Sequence, residues 1–563
     1  MSQVSFSLPK TSALDQQTQA FVKLTPEQVE RARTYGNVRP VKVGEVIFDV
    51  GDPHVSMFIL LSGMMEIVQF TCKGERVIAG HDPMEFTGET NMISGRRSLV
   101  QARMTEAGEV LEIKPDSLRT LIAKDAELSE IFMRAFILRR MVLVKQGFGD
   151  VVLLGSRHCG GTLRMREFLS RNGHPYTYVD LDTDSQAQQV LDHFHVTVRE
   201  VPVLICRGSI VMKNPMLHEV ADCLGLNNPA DESQVRDVIV VGAGPSGLAA
   251  AVYAASEGLN VLVIETTAPG GQAGSSSKIE NYLGFPVGIS GAELAARALN
   301  QAQKFGAEMM IAHDVVRLHC DHRPYQIELD NGQKLTTRTL VIASGARYNK
   351  PDLDNLTRFE GMGVYYGATN MEAALCEGEE VIVVGGANSA GQAVVFLSNT
   401  ARHVHMLVRS SRLSDTMSRY LIDRIESNPK VTVHYNSEII ALDGGAHLEQ
   451  VQWTNKATAK TQSLPIRHVF MMIGAMPCTS WLENCLALDS KGFIITGHDL
   501  QTLDGDAPWW KESRAPYLLE TSLPGVFAVG DVRSGNVKRV ASAVGEGSIS
   551  VHLVHRVLAE GAA

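Results

Sequence analysis

The segment that most constrains this chain is Asp237-Val-Ile-Val-Val, a short β-branched apolar run that opens directly into Gly242-Ala-Gly244-Pro245-Ser246-Gly247. Leu248-Ala-Ala-Ala-Val-Tyr-Ala-Ala then predicts a helix, and Asn260-Val-Leu-Val-Ile-Glu265 a second strand ending in a carboxylate. Strand, glycine turn, helix and terminal acid together form a dinucleotide-binding fingerprint. Gly242 makes the tight turn, Gly244 lets the backbone approach a pyrophosphate, and Gly247 allows close helix–strand packing. The helix N-terminus offers N–H groups to the phosphates. Glu265 is placed to hydrogen-bond the adenosine ribose. These residues alone fit either NAD or FAD.

At 563 residues the chain is too long for one core, and usual domain sizes suggest roughly three to five domains. A formal charge of −10 leaves no basic footprint, so no nucleic-acid partner is expected. No apolar run approaches the roughly 18–20 residues that span a bilayer, so no membrane partner is expected either. The start, Met-Ser-Gln-Val-Ser-Phe-Ser, lacks a charged segment followed by an apolar one, and a cytoplasmic location is the expectation. No two of the eight cysteines are spaced Cys-x-x-Cys, so no metal site is expected and most cysteines read as small buried hydrophobes.

Further motifs follow in a recognisable order. Gly270-Gly271-Gln272 and Ile279-Glu-Asn281-Tyr-Leu-Gly-Phe-Pro286 precede Thr339-Leu-Val-Ile-Ala343-Ser-Gly345. Pro524-Gly-Val-Phe-Ala-Val-Gly530-Asp531 and Lys538-Arg539-Val540-Ala-Ser-Ala come near the end. Over about 237 to 555 this half resembles bacterial thioredoxin reductase. The resemblance implies FAD as the cofactor, with Asp531 toward its ribityl chain and the helix opened by Arg539 and Val540 toward the flavin ring. It also implies a Cys-Ala-Thr-Cys pair, where this chain reads Gly367-Ala-Thr-Asn370.

A second strand–turn–helix entry is Val381-Ile-Val-Val-Gly385-Gly-Ala387-Asn388-Ser389-Ala390. Ala387 replaces the second glycine, which weakens phosphate approach without abolishing it. The next strand, His403 to Arg409, ends in an arginine rather than an acid, with Arg412 nearby. That favours the 2′-phosphate of NADPH over the ribose of NADH. Asp415-Thr-Met-Ser-Arg-Tyr-Leu421 follows with no role legible from sequence.

Ahead of this half, short apolar segments split by glycine turns between 21 and about 120 predict a β-roll. They resemble the cyclic-nucleotide-binding domain. Phe86-Thr-Gly88-Glu89 with Arg96-Arg97-Ser98 is similar to its phosphate cassette, which implies a cyclic nucleotide, cyclic AMP or GMP, as an effector. Glu127 to Lys145 reads as an amphipathic helix whose stripe, Ile131, Phe132, Ala135, Phe136, Leu138 and Val142, serves core or dimer packing. Residues 150 to about 226 resemble a thioredoxin- or glutaredoxin-like domain, with Cys159 alone at the active-site position and Pro202 where that fold places a cis-proline.

The expected fold is therefore multidomain: a β-roll over 1–147, a thioredoxin-like α/β domain over 148–228, and two Rossmann-like three-layer ββα nucleotide-binding domains. The FAD domain occupies 235–350 and 470–563, and the NAD(P) domain 351–469. The expected activity is an FAD-dependent NAD(P)H oxidoreductase passing hydride from NADPH to FAD and on to an unidentified acceptor or to Cys159. A sensor coupling cyclic-nucleotide binding to flavin state, and a flavin-carrying scaffold without turnover, stand as alternatives. The resemblance further implies a homodimer.

Overall fold

The short glycine-punctuated segments of the N-terminal region become β1 (Asn37–Val41), β2 (Val46–Phe48), β3 (Met57–Thr71), β4 (Gly74–His81) and β5 (Gln101–Ile113). They pair antiparallel in the order β1-β5-β3-β4, with β2 also on β5. These coordinates are a computed structural model describing residues 20–71, 74–88, 92, 97–145, 151–157, 159–183, 200–206, 210–227, 231–276, 278–368, 370–445, 447–482, 485–502, 510 and 512–560. Glu89 and Arg96 of the expected cassette lie outside the described residues.

The chain divides into two compact units. The first comprises Met1–Gly155, Gly173–Pro229 and Gln303–Glu308, and the second the remainder. In the first, helix Ala126–Lys145 presses Phe132, Ala135 and Phe136 into the roll, all fully buried. Phe132 meets Phe86 edge-on, with ring centroids 4.8 Å apart. Between these side chains sits Arg139, donating from Nε to the Ala20 carbonyl and from Nη1 to the carbonyls of Phe86 and Gly88. Burial pulls its pKa down to about 10, which leaves it charged at neutral pH. Phe132, Ala135 and Phe136 of the predicted stripe are thus core, Ile131 packs against them half-buried, and Leu138 is half-buried. Val142 has no described side chain.

The same unit holds a mixed sheet of β6 (Val151–Gly155), β7 (Thr177–Asp180), β8 (Val203–Cys206) and β9 (Ile210–Lys213), ordered β7-β6-β8-β9. β6 runs parallel to β7, and the other pairs are antiparallel. The Val201–Pro202 peptide bond is cis, at the position expected from sequence.

In the second unit, β10 (Val235–Val241), β11 (Val261–Glu265), β12 (Glu308–Ile311), β13 (Val315–His319), β14 (Tyr325–Leu329) and β15 (Lys334–Ile342) form one sheet in the order β12-β11-β10-β15-β14-β13. β26 (Val526–Ala528) joins β15 in parallel. Val238 to Val241 are all buried, as strands covered on both faces require. Antiparallel strands β16 (Ala346–Tyr348) and β25 (Ala475–Pro477) link this sheet to a second one. There β17 (Val364–Tyr365), β18 (Glu380–Val384), β19 (His403–Val408), β20 (Val431–Tyr435) and β24 (His468–Met471) are all parallel, ordered β17-β24-β18-β19-β20. A three-stranded antiparallel sheet, β21 (Ser437–Asp443), β22 (Gln450–Asn455) and β23 (Lys460–Leu464), accompanies it.

Side chains two apart on β19 share a face, so His403 and His405 sit together, and His434 of β20 joins them. His405 Nδ1 lies 3.1 Å from His434 Nε2, and the His434 ring packs edge-on against Trp453. Burial and the neighbouring imidazoles pull the His434 pKa down from 6.5 to about 4. The unfolded imidazole therefore takes up a proton at a pH where the folded one refuses it. Stability from this site is present above pH 6.5 and is lost as pH falls toward 4. Urea midpoints measured across that window should fall in the wild type and fall less steeply in His434→Gln.

Among the free cysteines, Cys206 and Cys376 are buried, as expected from composition. Cys159, Cys223 and Cys478 are partly exposed instead. Cys320 and Cys485, separated by 165 residues, are joined as a disulfide. A reading confined to short spacings cannot see such a pair.

Candidate active site

Gly242 has φ +103°, a conformation open to glycine at little cost, and a Cβ there would strike the Ala343 carbonyl. A Cβ on Gly247 would strike the Gly242 carbonyl, so helix Pro245–Ser256 lies as close to the turn as its backbone allows. Gly244 caps that helix with ordinary φ −69°. Its freedom is spatial: a Cβ on Gly271 would lie 3.0 Å from Gly244 Cα. Two bare backbones thus lie side by side, with no side chain on either to keep a ligand from their surface. Both line the cavity described below, so that cradle fits a pyrophosphate lying against them, with the helix N-terminus supplying N–H groups.

Glu265 ends β11 beside this turn. Its carboxylate accepts from Ala243 N at 2.7 Å, Thr267 N at 3.0 Å and Ala268 N at 3.3 Å. Burial pushes its pKa up, while those amides and the charge of Arg171 pull the other way. Arg171 comes from helix Gly160–Arg171 and donates to the carbonyls of Gly271 (2.9 Å) and Ala268 (3.3 Å). Asn172 donates to Thr267 O at 3.2 Å. The end of this helix is therefore stitched to the loop that follows the acidic strand. Sequence reading missed Arg171 and Asn172, because their acceptors are backbone groups about a hundred residues away.

Opposite, Gly530 (φ +73°) precedes Asp531, whose pKa burial raises and Lys538 lowers. Glu546 braces this turn: it accepts from Gly530 N at 2.7 Å and from Arg533 and Asn536. Glu546 lies in helix Val540–Glu560, which the sequence reading identified only by its opening residues. Gln272 donates to the Ala346 carbonyl, tying the glycine loop to β16.

These elements surround one cavity of about 1770 Å³. Of the expected flavin residues, Gly242, Gly244, Pro245, Ser246, Glu265, Gly271, Gln272, Asn281, Ala343, Gly345, Asp531, Arg539 and Val540 line it. Gly247 and Gly530 stand behind the wall, where a Cβ on Gly530 would meet Ser246 Oγ at 2.5 Å. Ala387, Asn388 and Ser389 of the second turn line the same cavity, as do Tyr365, Gly367 and Ala368.

Gly385 (φ +141°) makes the tight turn of the second entry, packed under Met472 and Ala390. Ala387 caps helix Asn388–Leu397 at φ −101°, so alanine there is conformationally free. Gly385 and Ala390 do not line the cavity, nor do Arg409 and Arg412, which are exposed. Arg412 pairs with Asp415 at 3.4 Å. The segment left without a role in sequence braces this turn: Thr416 donates to Gly386 O at 2.7 Å and Ser418 N to Asn388 Oδ1 at 2.7 Å.

Cys159 is the N-cap of helix Gly160–Arg171 and is partly exposed. Gly160, its neighbour, lines the cavity, and a Cβ on Gly361 would lie 3.4 Å from Gly160 Cα. In the first unit, Gly88 (φ +121°) packs against Met92 and Phe136. Arg97 donates to Gly51 O at 3.1 Å and lies against Gly225, while Ser98 Oγ donates to Val100 O.

Comparison with known proteins finds three families matched along the chain. Residues 236–547 match the pyridine nucleotide-disulphide oxidoreductase family, residues 38–125 the cyclic nucleotide-binding domain, and residues 151–211 glutaredoxin. The chain is 30% identical over 330 residues to thioredoxin reductase of Bacillus subtilis, covering 58% of this chain and 96% of that protein. It is 29% identical over 368 residues to NADPH-dependent thioredoxin reductase 3 of Arabidopsis thaliana, covering 62% of this chain and only 65% of that protein. Among solved structures, thioredoxin reductase of Lactococcus lactis aligns with a TM-score of 0.52 at 25% identity, over 58% of this chain and 99% of that one. Thioredoxin reductase of T. acidophilum aligns with 0.51 at 26%, over 57% and 99%. The chain belongs to the pyridine nucleotide-disulphide oxidoreductase family, as a thioredoxin reductase homologue preceded by cyclic nucleotide-binding and glutaredoxin domains.

Proposed function

We propose that this chain is an FAD-dependent oxidoreductase that draws reducing equivalents from NADPH and delivers them to an acceptor without a Cys-x-x-Cys pair of its own. The observation that carries the reading is the single cavity in which the glycine turn, Glu265 and Asp531 meet the second turn at Ala387–Ser389. FAD bound there would accept hydride from a reduced nicotinamide and release electrons one or two at a time. Gly242, Gly244 and Gly271 would hold its pyrophosphate, Glu265 its ribose, and Asp531 its ribityl chain. Asn388 and Ser389 would meet the coenzyme phosphates, and Arg409 and Arg412, outside the cavity lining, a 2′-phosphate. The domain limits and homodimer expected from sequence belong to the same proposal.

With Gly367 and Asn370 where the resemblance calls for cysteines, the acceptor is either external or a mixed disulfide that Cys159 would form with an external thiol, which two electrons and two protons would return to the two thiols. Gly160 on the cavity wall favours Cys159. Cyclic AMP or GMP at the cassette of Gly88, Glu89, Arg97 and Ser98 would act as an effector. This is favoured by the family match over 38–125. An effector role requires that the nucleotide change the rate or affinity of flavin reduction.

Anaerobic titration of the purified protein with NADPH should bleach the flavin. Failure of both NADPH and NADH to do so would leave a flavin scaffold. Offering disulfides, quinones and oxygen in turn then identifies the acceptor. In Cys159→Ala, disulfide turnover is expected to fall about tenfold or more, while flavin reduction by NADPH is retained. Equal turnover in variant and wild type would remove that thiol from the path.

A further inference from the structure

We infer that Cys320 and Cys485 form a reversible thiol–disulfide site, apart from the flavin cradle, that controls how firmly the cavity wall around Pro477–Trp481 is held. The effect on FAD rests on the proposed flavin reading; the thiol site itself does not.

Cys320 directly follows β13, and Cys485 follows the short 3-10 turn Ser480–Leu482, with their Cα atoms 6.0 Å apart. Pro477, Cys478, Ser480 and Trp481 line the cavity just upstream. On the inner side this wall is held by the β16–β25 pairing, in which Pro477 faces Ala346, by Thr479 Oγ1, which donates to Gly492 O at 2.9 Å, and by the buried Leu482. Cys478 N donates to Gly345 O at 3.0 Å, and the Cys478 carbonyl accepts from Ser344 Oγ at 2.8 Å and Trp481 Nε1 at 3.2 Å. Burial raises the pKa of the Cys478 thiol while Arg347, which hydrogen-bonds it, lowers it, and Cys478 lines the same cavity as Glu265 and Asp314. On the outer side the disulfide ties it to β13, closing a loop of 165 residues. A crosslink across so long a loop lowers the entropy of the unfolded chain, so breaking it makes opening of the elements it joins less costly.

Both oxidation states are provided for. Cys320 and Cys485 are partly exposed, so a small dithiol reaches them. The Leu318 carbonyl lies 3.3 Å from Cys485 Sγ, ready to accept from the thiol once the bond opens. In the opening step, a thiolate of an external dithiol attacks one sulfur, breaking the protein S–S bond and forming a mixed disulfide. The second thiol of the reductant then displaces the protein thiolate, which takes up a proton. Two electrons and two protons pass to Cys320 and Cys485, and the reductant leaves as its own disulfide. The opened wall would hold the adenosine end of a bound FAD less firmly than the closed one.

The full chain, loaded with FAD, is equilibrated in buffers of graded reduced-to-oxidised dithiothreitol, alkylated and mapped by mass spectrometry. Cys320 and Cys485 should become labelled together in one two-electron transition, and the FAD off-rate should rise severalfold across it, reversing on reoxidation. The double variant Cys320→Ser/Cys485→Ser should show the fast off-rate in every buffer. Labelling of both cysteines in the fully oxidised protein would overturn the inference. So would an off-rate that stays flat through the labelling transition of the wild type, a measurement that needs no variant to fold. Hydrogen exchange at residues 476–482 reads the wall without flavin. A chain that binds no FAD would therefore sink the proposed function while exchange still decides this inference: faster exchange on reduction supports it, and unchanged exchange overturns it.

Discussion

Gly247→Val is expected to yield a protein that purifies without flavin and unfolds at lower urea. The reason is local and unforgiving. Gly247 is buried in the first turn of helix Pro245–Ser256, and a Cβ there points at the Gly242 carbonyl and comes within 3.2 Å of Ala343 Cβ. Neither neighbour is the free end of a flexible side chain. The helix must lift from the turn, at an overpacking cost of about 1–3 kcal/mol or more. Lifting also withdraws the helix N-terminus from the phosphate position, so binding and stability fall together. The second turn carries Ala390 at the corresponding place, against Gly385, which shows that a related geometry admits one methyl but needs room made for it. The flavin-to-protein ratio after purification and the urea midpoint check this. A yellow Gly247→Val protein with wild-type stability would mean that the helix does not rest on the turn as described.

Arg514→Ala is expected to cost about 3–5 kcal/mol, because it strands a buried charge. Glu520 has 0% side-chain exposure, and its carboxylate accepts from Arg514 Nη1 at 2.6 Å and Nη2 at 2.8 Å. Gly525 N and Tyr517 N complete the set at 2.8 and 2.9 Å. Arg514 is itself held over the Tyr517 ring, 4.2 Å from its centroid, and by Glu560 at 3.0 Å. Removing the guanidinium leaves the carboxylate with backbone donors alone, in a place water does not reach. Glu520 immediately precedes the segment that forms β26 and then the Gly530–Asp531 turn, so flavin retention should weaken as well. Urea unfolding with flavin absorbance followed in parallel measures both. A loss under about 1 kcal/mol would place this pair with ordinary surface ion pairs instead.

The parts of the site legible in sequence were those written within a few residues. Gly242 and Gly385 adopt left-handed backbone at the places the two fingerprints require. Glu265 closes β11 beside the first turn, and Asp531 reaches the same cavity. Other features had no short-range signal. Arg171 and Asn172 act on carbonyls between residues 267 and 271, and Glu546 serves an amide sixteen residues earlier from a different element. Residues 415–421 looked functionless because their partners, Gly386 and Asn388, are met only once the chain has folded back.

What the sequence by itself determined is the pair of strand–glycine turn–helix units, the β-roll ahead of them and the cis peptide at Pro202. The first two follow from backbone conformations and side-chain periods that repeat over two to four residues, whereas the cis peptide was implied by the resemblance to a thioredoxin-like fold. What only the tertiary structure decided is which distant groups come together: Gly160 with the first glycine turn and Ala387–Ser389 with Asp531 around one cavity, and Cys320 with Cys485 in a disulfide. Such pairings depend on how long loops close, and the entropy of closing a loop varies too slowly with its length to single out one partner from spacing alone.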